Sequence, residues 1–275
     1  MKTRIITAIV AIIVFLPVCY FSDTWFYPVA MAILCSVGVY EMLACVGLFK
    51  TPAISVPSML LAALLPIIPL FSDESTLVLM FGCVIAYLVL TFTADVFSKG
   101  KLDYTITSSA FRGVLYVSLS FTCMTLLREE GEYLYLLTFI GPWVSDSFAY
   151  FTGRFLGRHK LIPEVSPKKT VEGAVGGIVF AALSFVIYGI IIKNYFNPDI
   201  TLNYPMLAVA GAIVSVISQI GDLSASVIKR RFDVKDYGWV FPGHGGVLDR
   251  FDSVILTAPV LYILTQIPLF GSISI

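Results

Sequence analysis

Residues 204–229 read Y-P-M-L-A-V-A-G-A-I-V-S-V-I-S-Q-I-G-D-L-S-A-S-V-I-K. The apolar run over 204–228 is longer than the about 20 residues a helix needs to cross a bilayer core. Inside it Ser215, Ser218, Gln219, Asp222, Ser226 and Lys229 recur at steps of three or four, so they share one helix face. At about 1.5 Å rise per residue, Asp222 lies roughly 10 Å along the axis from Lys229. A charge at that depth costs about 2.5–3.5 kcal/mol on insertion scales, so it faces the protein interior or water. The stripe is therefore expected to form one wall of a polar cavity that opens at a membrane face. Ser215 and Ser218 suit a buried helix–helix contact equally well. Asp222, which continues into a cationic segment, suits that reading poorly.

The rest of the chain belongs to the same solvent. Of its 275 residues, 58% are apolar or aromatic and only 13% are charged, with a mean hydropathy of +0.90. A water-exposed domain carries roughly 25% charged residues, so most of this surface is expected to face lipid. Apolar segments near 5–22, 25–47, 53–71, 76–94, 111–127, 133–152, 171–192, 204–228 and 252–270 predict an all-α integral membrane protein of nine transmembrane helices with a cytoplasmic-side polar cavity. The segments form a single polytopic membrane domain over 1–275, with N-terminal spans in 1–130 and the chemistry in 133–270. Ser22-Asp23, Lys50-Thr51-Pro52, Ser72-Asp73-Glu74-Ser75 and Asn197-Pro198-Asp199 mark turns between spans. The first segment follows Lys2 and Arg4 and lacks a small-x-small cleavage pattern, so it reads as a retained span. Cys19, Cys35, Cys45, Cys83 and Cys123 are odd in number and show no C-x-x-C spacing, and they read as small apolar packing residues.

Charge distribution sets the expected orientation. With the N-terminus inside and the C-terminus out, all but Arg128 and Lys193 of the eighteen Lys and Arg residues fall on the cytoplasmic side. Asp23, Asp73, Glu74, Glu129, Glu130, Glu132 and Asp199 fall outside. The formal net charge is zero, which gives no support to nucleic-acid binding. With no targeting segment read in it, the chain is expected in a bacterial-type cytoplasmic (inner) membrane, with its active site on the cytoplasmic face.

Two cytoplasmic segments carry the chemistry. Residues 166–173 read S-P-K-K-T-V-E-G and run into the glycine-rich start of a helix. Lysines beside a helix N-terminus make an anion cradle, and Thr170 is also a candidate N-cap. The second segment is denser. Residues 226–252 read S-V-I-K-R-R-F-D-V-K-D-Y-G-W-V-F-P-G-H-G-G-V-L-D-R-F-D. Asp249 and Asp252 share a face if a helix has begun there, and the returning chain is expected to bring Asp249 to Asp222. Paired carboxylates among cations suit Mg²⁺, a hard ion held by one or two carboxylates, water and substrate phosphates. Mn²⁺ fits the same donors, and a second, monovalent cation is compatible with them. Asp146, inside the sixth span after the kink-prone Gly141-Pro142, is a further carboxylate toward the same cavity. An Asp146–Arg154 pair across two turns is the alternative. His159 reads as simply exposed, and Glu41 and Asp95 as structural or interfacial.

These residues resemble the phosphatidate cytidylyltransferase family, also called CDP-diglyceride synthases. The resemblance rests on Ser226-x-x-Lys229-Arg230, Lys235-Asp236, Pro242-x-His244-Gly245-Gly246 and Asp249-Arg250-x-Asp252. It extends upstream through Ser166–Gly173 and through Asp146-Ser147-x-Ala149-Tyr150 to Gly153-Arg154. It implies transfer of CMP from CTP to phosphatidate, yielding CDP-diacylglycerol and pyrophosphate. It further implies that Asp222, Asp249 and Asp146 hold the metal. Lys229, Arg230, Lys235 and Arg250, with Lys168 and Lys169, are expected to meet phosphates. Ser166, Thr170, Ser226, His244, Gly245 and Gly246 are expected at the substrates, and Asp236, Asp252 and Glu172 to orient the cations. Expected partners are CTP, phosphatidate and the lipid bilayer, with a second copy of the chain as a candidate homodimer. A CDP-alcohol phosphotransferase is disfavoured because no D-G-x-x-A-R element occurs. An ion path is disfavoured because the charges gather on one face.

Overall fold

The computed structural model describes residues 2–71 and 75–267; Ser72, Asp73 and Glu74 of an expected turn and positions 268–270 of the last expected span lie outside them. The elements run α1 Lys2–Tyr20, α2 Phe26–Cys45, α3 Pro52–Leu64, α4 Thr76–Phe97, α5 Tyr104–Glu130, α6 Leu137–Leu156, β1 Lys160–Ile162, β2 Ser166–Thr170, α7 Val171–Tyr195, α8 Tyr204–Arg231, α9 Val247–Ile255 and α10 Thr257–Gln266. The all-α expectation holds apart from the short antiparallel hairpin β1–β2, in which Lys160 pairs with Thr170 and Ile162 with Ser166. Among the described residues six helical stretches are long and apolar enough to cross a membrane: Phe26–Cys45, Pro52–Phe71, Thr76–Phe97, Tyr104–Glu130, Val171–Tyr195 and Tyr204–Arg231.

Prolines account for several departures from the expected spans. After Leu64 the chain tightens into a 3-10 stretch, Leu65–Phe71, that contains Pro66 and Pro69. Neither residue offers an N–H to an α-helical ladder. The last expected span begins at Val247 and breaks at Leu256. The Pro259 ring opposes the Ile255 carbonyl four residues back, and Thr257 Oγ1 donates to Val254 O at 2.6 Å. In α6, Pro142 frees the Thr138 carbonyl, which accepts a long bond of 3.4 Å from Thr257 Oγ1.

The chain forms two compact units, Met1–Thr125 with Lys229–Phe251, and Leu126–Ile228 with Asp252–Ile275. In the first, Tyr27, Met31, Cys35, Val39 and Met42 repeat at steps of four and three on α2 and are almost fully buried. Val114, Val117 and Phe121 of α5 are buried in the same unit, and Phe121 meets Phe251 with ring centroids 5.5 Å apart. By contrast α4 exposes Leu77, Val78, Leu79, Phe81 and Phe92, an outward apolar face suited to lipid.

In the second unit α6 and α7 meet at van der Waals contact because Gly173, Gly176 and Gly177 carry no side chain. A Cβ at Gly173 would stand 2.6 Å from the Ala149 carbonyl oxygen, and one at Gly176 2.3 Å from Thr152 Oγ1. Small residues that let helix backbones approach are the usual route to tight packing where lipid offers no hydrophobic drive. The polar stripe of α8 divides here. Ser215, Ser218 and Gln219 are buried, Ser215 Oγ bonds Ser145 Oγ at 2.7 Å, and Gln219 Nε2 donates to Ala174 O at 3.2 Å. Ser215 and Gln219 thus bind neighbouring helices together, while Ser218 Oγ is buried without a hydrogen-bond partner among the described residues. Asp222 and Ser226, nearer the charged end, are only half-buried.

Candidate active site

The 229–251 segment takes its shape from a few backbone requirements. α8 ends as Asp233 enters the left-handed region at φ +53°. Further on, His244 N donates to Phe241 O at 2.8 Å, with Pro242 and Gly243 between them and Gly243 at φ +79°. Proline then glycine at the centre of a four-residue turn is the signature of type II geometry. Phe241 N donates to Gly245 O at 2.9 Å and closes the loop, leaving His244 at its tip.

Two buried carboxylates hold this loop and the start of α9. Asp249, 5% exposed, accepts from Lys229 Nζ at 2.8 Å through Oδ1, and from Tyr237 N at 2.7 Å and Gly246 N at 2.9 Å through Oδ2. The Lys229 ammonium also lies 5.3 Å from the Tyr237 ring centroid. Glu41 of α2, 1% exposed, accepts from Val247 N at 3.0 Å and Leu248 N at 2.9 Å. Its carboxylate thus caps the N-terminus of α9, where the helix dipole favours negative charge. The adjoining glycines reflect these contacts. A Cβ at Gly246 would fall 2.2 Å from Glu41 Oε1, and Gly245 sits at φ +86° against Asp249.

The result is a cleft of about 550 Å³ lined by Lys235, Asp236, Trp239, His244, Gly245 and Arg250, together with Gly238, Phe241, Pro242 and Gly243. Three basic side chains face one acid. His244 Nδ1 is buried without a hydrogen-bond partner among the described residues. Lys235, Asp236, His244, Gly245 and Arg250 of the expected site therefore come together. Arg230 is exposed and does not line the cleft.

In the second unit the Lys169 ammonium pairs with Asp222 Oδ2. Lys169 reaches it from β2, whose alternation leaves Lys168 exposed and Ser166 half-buried. Thr170 is buried and caps α7, accepting from Gly173 N at 3.1 Å. Glu172 accepts from Arg158 N at 3.0 Å and from His159 Nδ1 at 2.6 Å, tying down the segment after α6. His159 is exposed as expected, and its ring is engaged by this carboxylate. Asp146 is exposed and has the Ser253 side chain as a hydrogen-bonding neighbour, while Arg154 Nη1 donates to Tyr150 Oη at 2.9 Å. The Asp146–Arg154 pairing is absent among the described residues. Asp252 Oδ1 accepts from Ser253 N at 2.8 Å. Ser226 lies half-buried on α8.

Among the described residues no trio of His, Cys, Asp and Glu side chains is arranged to hold a metal ion. A Mg²⁺ site does not require one, since one or two carboxylates with water and phosphate suffice. A carboxylate offers about four lone-pair sites, and Asp249 uses three, leaving capacity on Oδ1. Asp222 has one cationic partner and is half-buried. Hard oxygen donors with spare capacity fit the ion.

Apolar helices carrying a cationic cleft define an all-α membrane protein equipped to meet anions. Across residues 2–268 the chain matches the model of the cytidylyltransferase family, and it belongs to that family. It is 35% identical over 268 residues to the phosphatidate cytidylyltransferase of Staphylococcus haemolyticus (strain JCSC1435), covering 96% of this chain and 98% of that protein. Its identity to the phosphatidate cytidylyltransferases of Staphylococcus saprophyticus subsp. saprophyticus and Staphylococcus aureus (strain COL) is 34% over 266 residues, with the same coverage.

The sequence left Glu41 as structural or interfacial and did not single out Tyr237, and the structure gives both a bonded place beside the cleft. Glu41 lies 206 residues from its partner Val247, and no spacing rule connects them. Tyr237 contributes a main-chain N–H, which any residue but proline supplies, so its side chain carries no signal of the role.

Proposed function

We propose that this chain transfers CMP from CTP to phosphatidate, forming CDP-diacylglycerol and pyrophosphate. The observation that carries the reading is the cleft in which the Pro242–Gly246 turn sets His244 among Lys235 and Arg250. Its excess of basic groups and the buried, unpartnered His244 Nδ1 suit a polyphosphate. A phosphate oxygen of phosphatidate attacks the α-phosphorus of CTP, the new P–O bond forms, and the bond to the β-phosphate oxygen breaks as pyrophosphate leaves. The nucleophile is already anionic, so the protein has little proton transfer to do. Lys235, His244 and Arg250 of the cleft hold and neutralise phosphates, which is most of the catalysis such transfers need; Lys229, bonded to Asp249, and Arg230, outside the cleft, are added at phosphates by the family resemblance alone. The family resemblance makes Asp146 and Asp222 of the second unit and Asp249 of the first each a candidate ligand that would hold Mg²⁺, and Asp236, Asp252 and Glu172 candidates to orient cations. When bound, Mg²⁺ would neutralise phosphate charge. Gly245 lines the cleft, and the family resemblance adds Ser166, Lys168, Lys169, Thr170 and Ser226 as candidate substrate contacts; Gly246, whose N–H is held by Asp249, shapes the turn.

The charge asymmetry of the sequence supports nine spans with the N-terminus in and the C-terminus out, a polar cavity at the cytoplasmic face, and residence in the cytoplasmic membrane. A second copy of the chain is the candidate protein partner. The test is direct: purified protein, labelled CTP, phosphatidate in mixed micelles and Mg²⁺ should yield labelled CDP-diacylglycerol. If no product forms where a staphylococcal relative is active, the proposal fails.

A further inference from the structure

We infer that Glu41 is a positioning residue for the reaction, acting through the turn that carries His244. The inference rests on the proposed function for its kinetic part and on geometry for the rest. Glu41 is almost fully buried on α2, where an ionised carboxylate is costly unless well bonded. Its two oxygens accept separately from Val247 N and Leu248 N at 3.0 and 2.9 Å. These are the first two amides of α9, the groups that otherwise make a helix N-terminus an anion site. Gly246 N is already taken by Asp249. Three successive amides at this helix start are therefore taken by carboxylates, and the side chains of Lys235, His244 and Arg250 in the cleft are left to meet the anion.

Glu41 also limits where the loop can go. A Cβ on either Gly238 or Gly246 would stand within 2.3 Å of Glu41 Oε1, so both strands of the loop are packed directly onto this carboxylate. Gly246 is two residues from His244, and Gly238 precedes Trp239 in the cleft lining. Moving or neutralising the carboxylate releases two amides and the seat of both glycines, so the His244 side chain loses its fixed direction.

The chain has two histidines, which makes the consequence measurable. In protein labelled at the histidine ring carbons, His244 and His159 give one signal each, assigned with His159→Gln. Glu41→Gln keeps the shape but turns an amino group toward one of the two amides. It should lower kcat/KM for CTP at least tenfold, leave KM for phosphatidate within twofold, shift the His244 signal and change its diethyl pyrocarbonate reaction rate at least threefold. The His159 signal, in the other unit, should stay in place. Glu41→Ala should exceed Glu41→Gln in each effect. Wild-type kcat/KM in Glu41→Gln overturns the inference, and so does lost activity with an unchanged His244 signal and rate. If wild-type protein makes no CDP-diacylglycerol, the proposed reaction fails, yet the His244 signal and modification rate still decide the role of Glu41.

Discussion

Asp249 draws its three donors from three places: the end of α8, the loop at Tyr237 and the glycine just before α9. A buried acceptor with this many donors costs more to alter than to keep, because each donor left unpaired carries its own desolvation penalty. Asp249→Asn must point an amino group at one of them. It should abolish turnover in the CTP assay while leaving a folded protein whose melting temperature in detergent is lower, by the equivalent of about 1–3 kcal/mol. Asp222→Asn behaves differently, since Asp222 is half-buried with one cationic partner. It should also abolish turnover, with little change in melting temperature. Near-normal activity in either variant removes that carboxylate from the proposed metal set. Activity lost to EDTA should return on addition of Mg²⁺ to the wild type alone.

At the start of α7, helix packing and capping account for residues that the sequence also offers to an anion. The glycine-rich start of this helix looks made for backbone approach to an anion, yet Gly173 and Gly176 are required by the passage of α6. In Gly173→Ala the new methyl meets the Ala149 carbonyl, which is backbone and does not yield like a flexible side chain. Overpacking of that kind costs about 1–3 kcal/mol, so thermal unfolding should fall by several degrees. Thr170→Val removes the hydroxyl that caps α7 and should cost about 1 kcal/mol. If Thr170 also meets substrate, KM for CTP rises in this variant by more than the loss of stability explains. Unchanged kinetics would confine Thr170 to the cap.

On the scale of the whole molecule the arrangement is set by where charge is tolerated. Lysine and arginine are concentrated in alternate connections between the expected spans, which is the basis of the proposed N-in orientation. In a cysteine-free background, Asp199→Cys should react with a membrane-impermeant maleimide added to intact cells. Lys101→Cys should react only after the membrane is opened. The reverse pattern, or equal labelling, would refute the N-in orientation and with it the count of nine spans.

The solvent, the helical class and half of the cleft residues (Lys235, Asp236, His244, Gly245 and Arg250) were legible in the sequence. Those properties are local: apolar runs of spanning length, a charge that cannot rest in lipid, and a Pro-Gly-His-Gly-Gly turn whose φ requirements are written in its glycines. The bonded partners were not local. It took the folded chain to show that Glu41 caps α9, that Asp249 is held by Lys229 and two main-chain amides, and that Ser215 and Gln219 bind helices together. The folded chain likewise decided where α9 ends, since a proline acts on a carbonyl one turn back. A hydrogen bond joins residues close in space, and periodicity reports only which face of one helix a residue occupies.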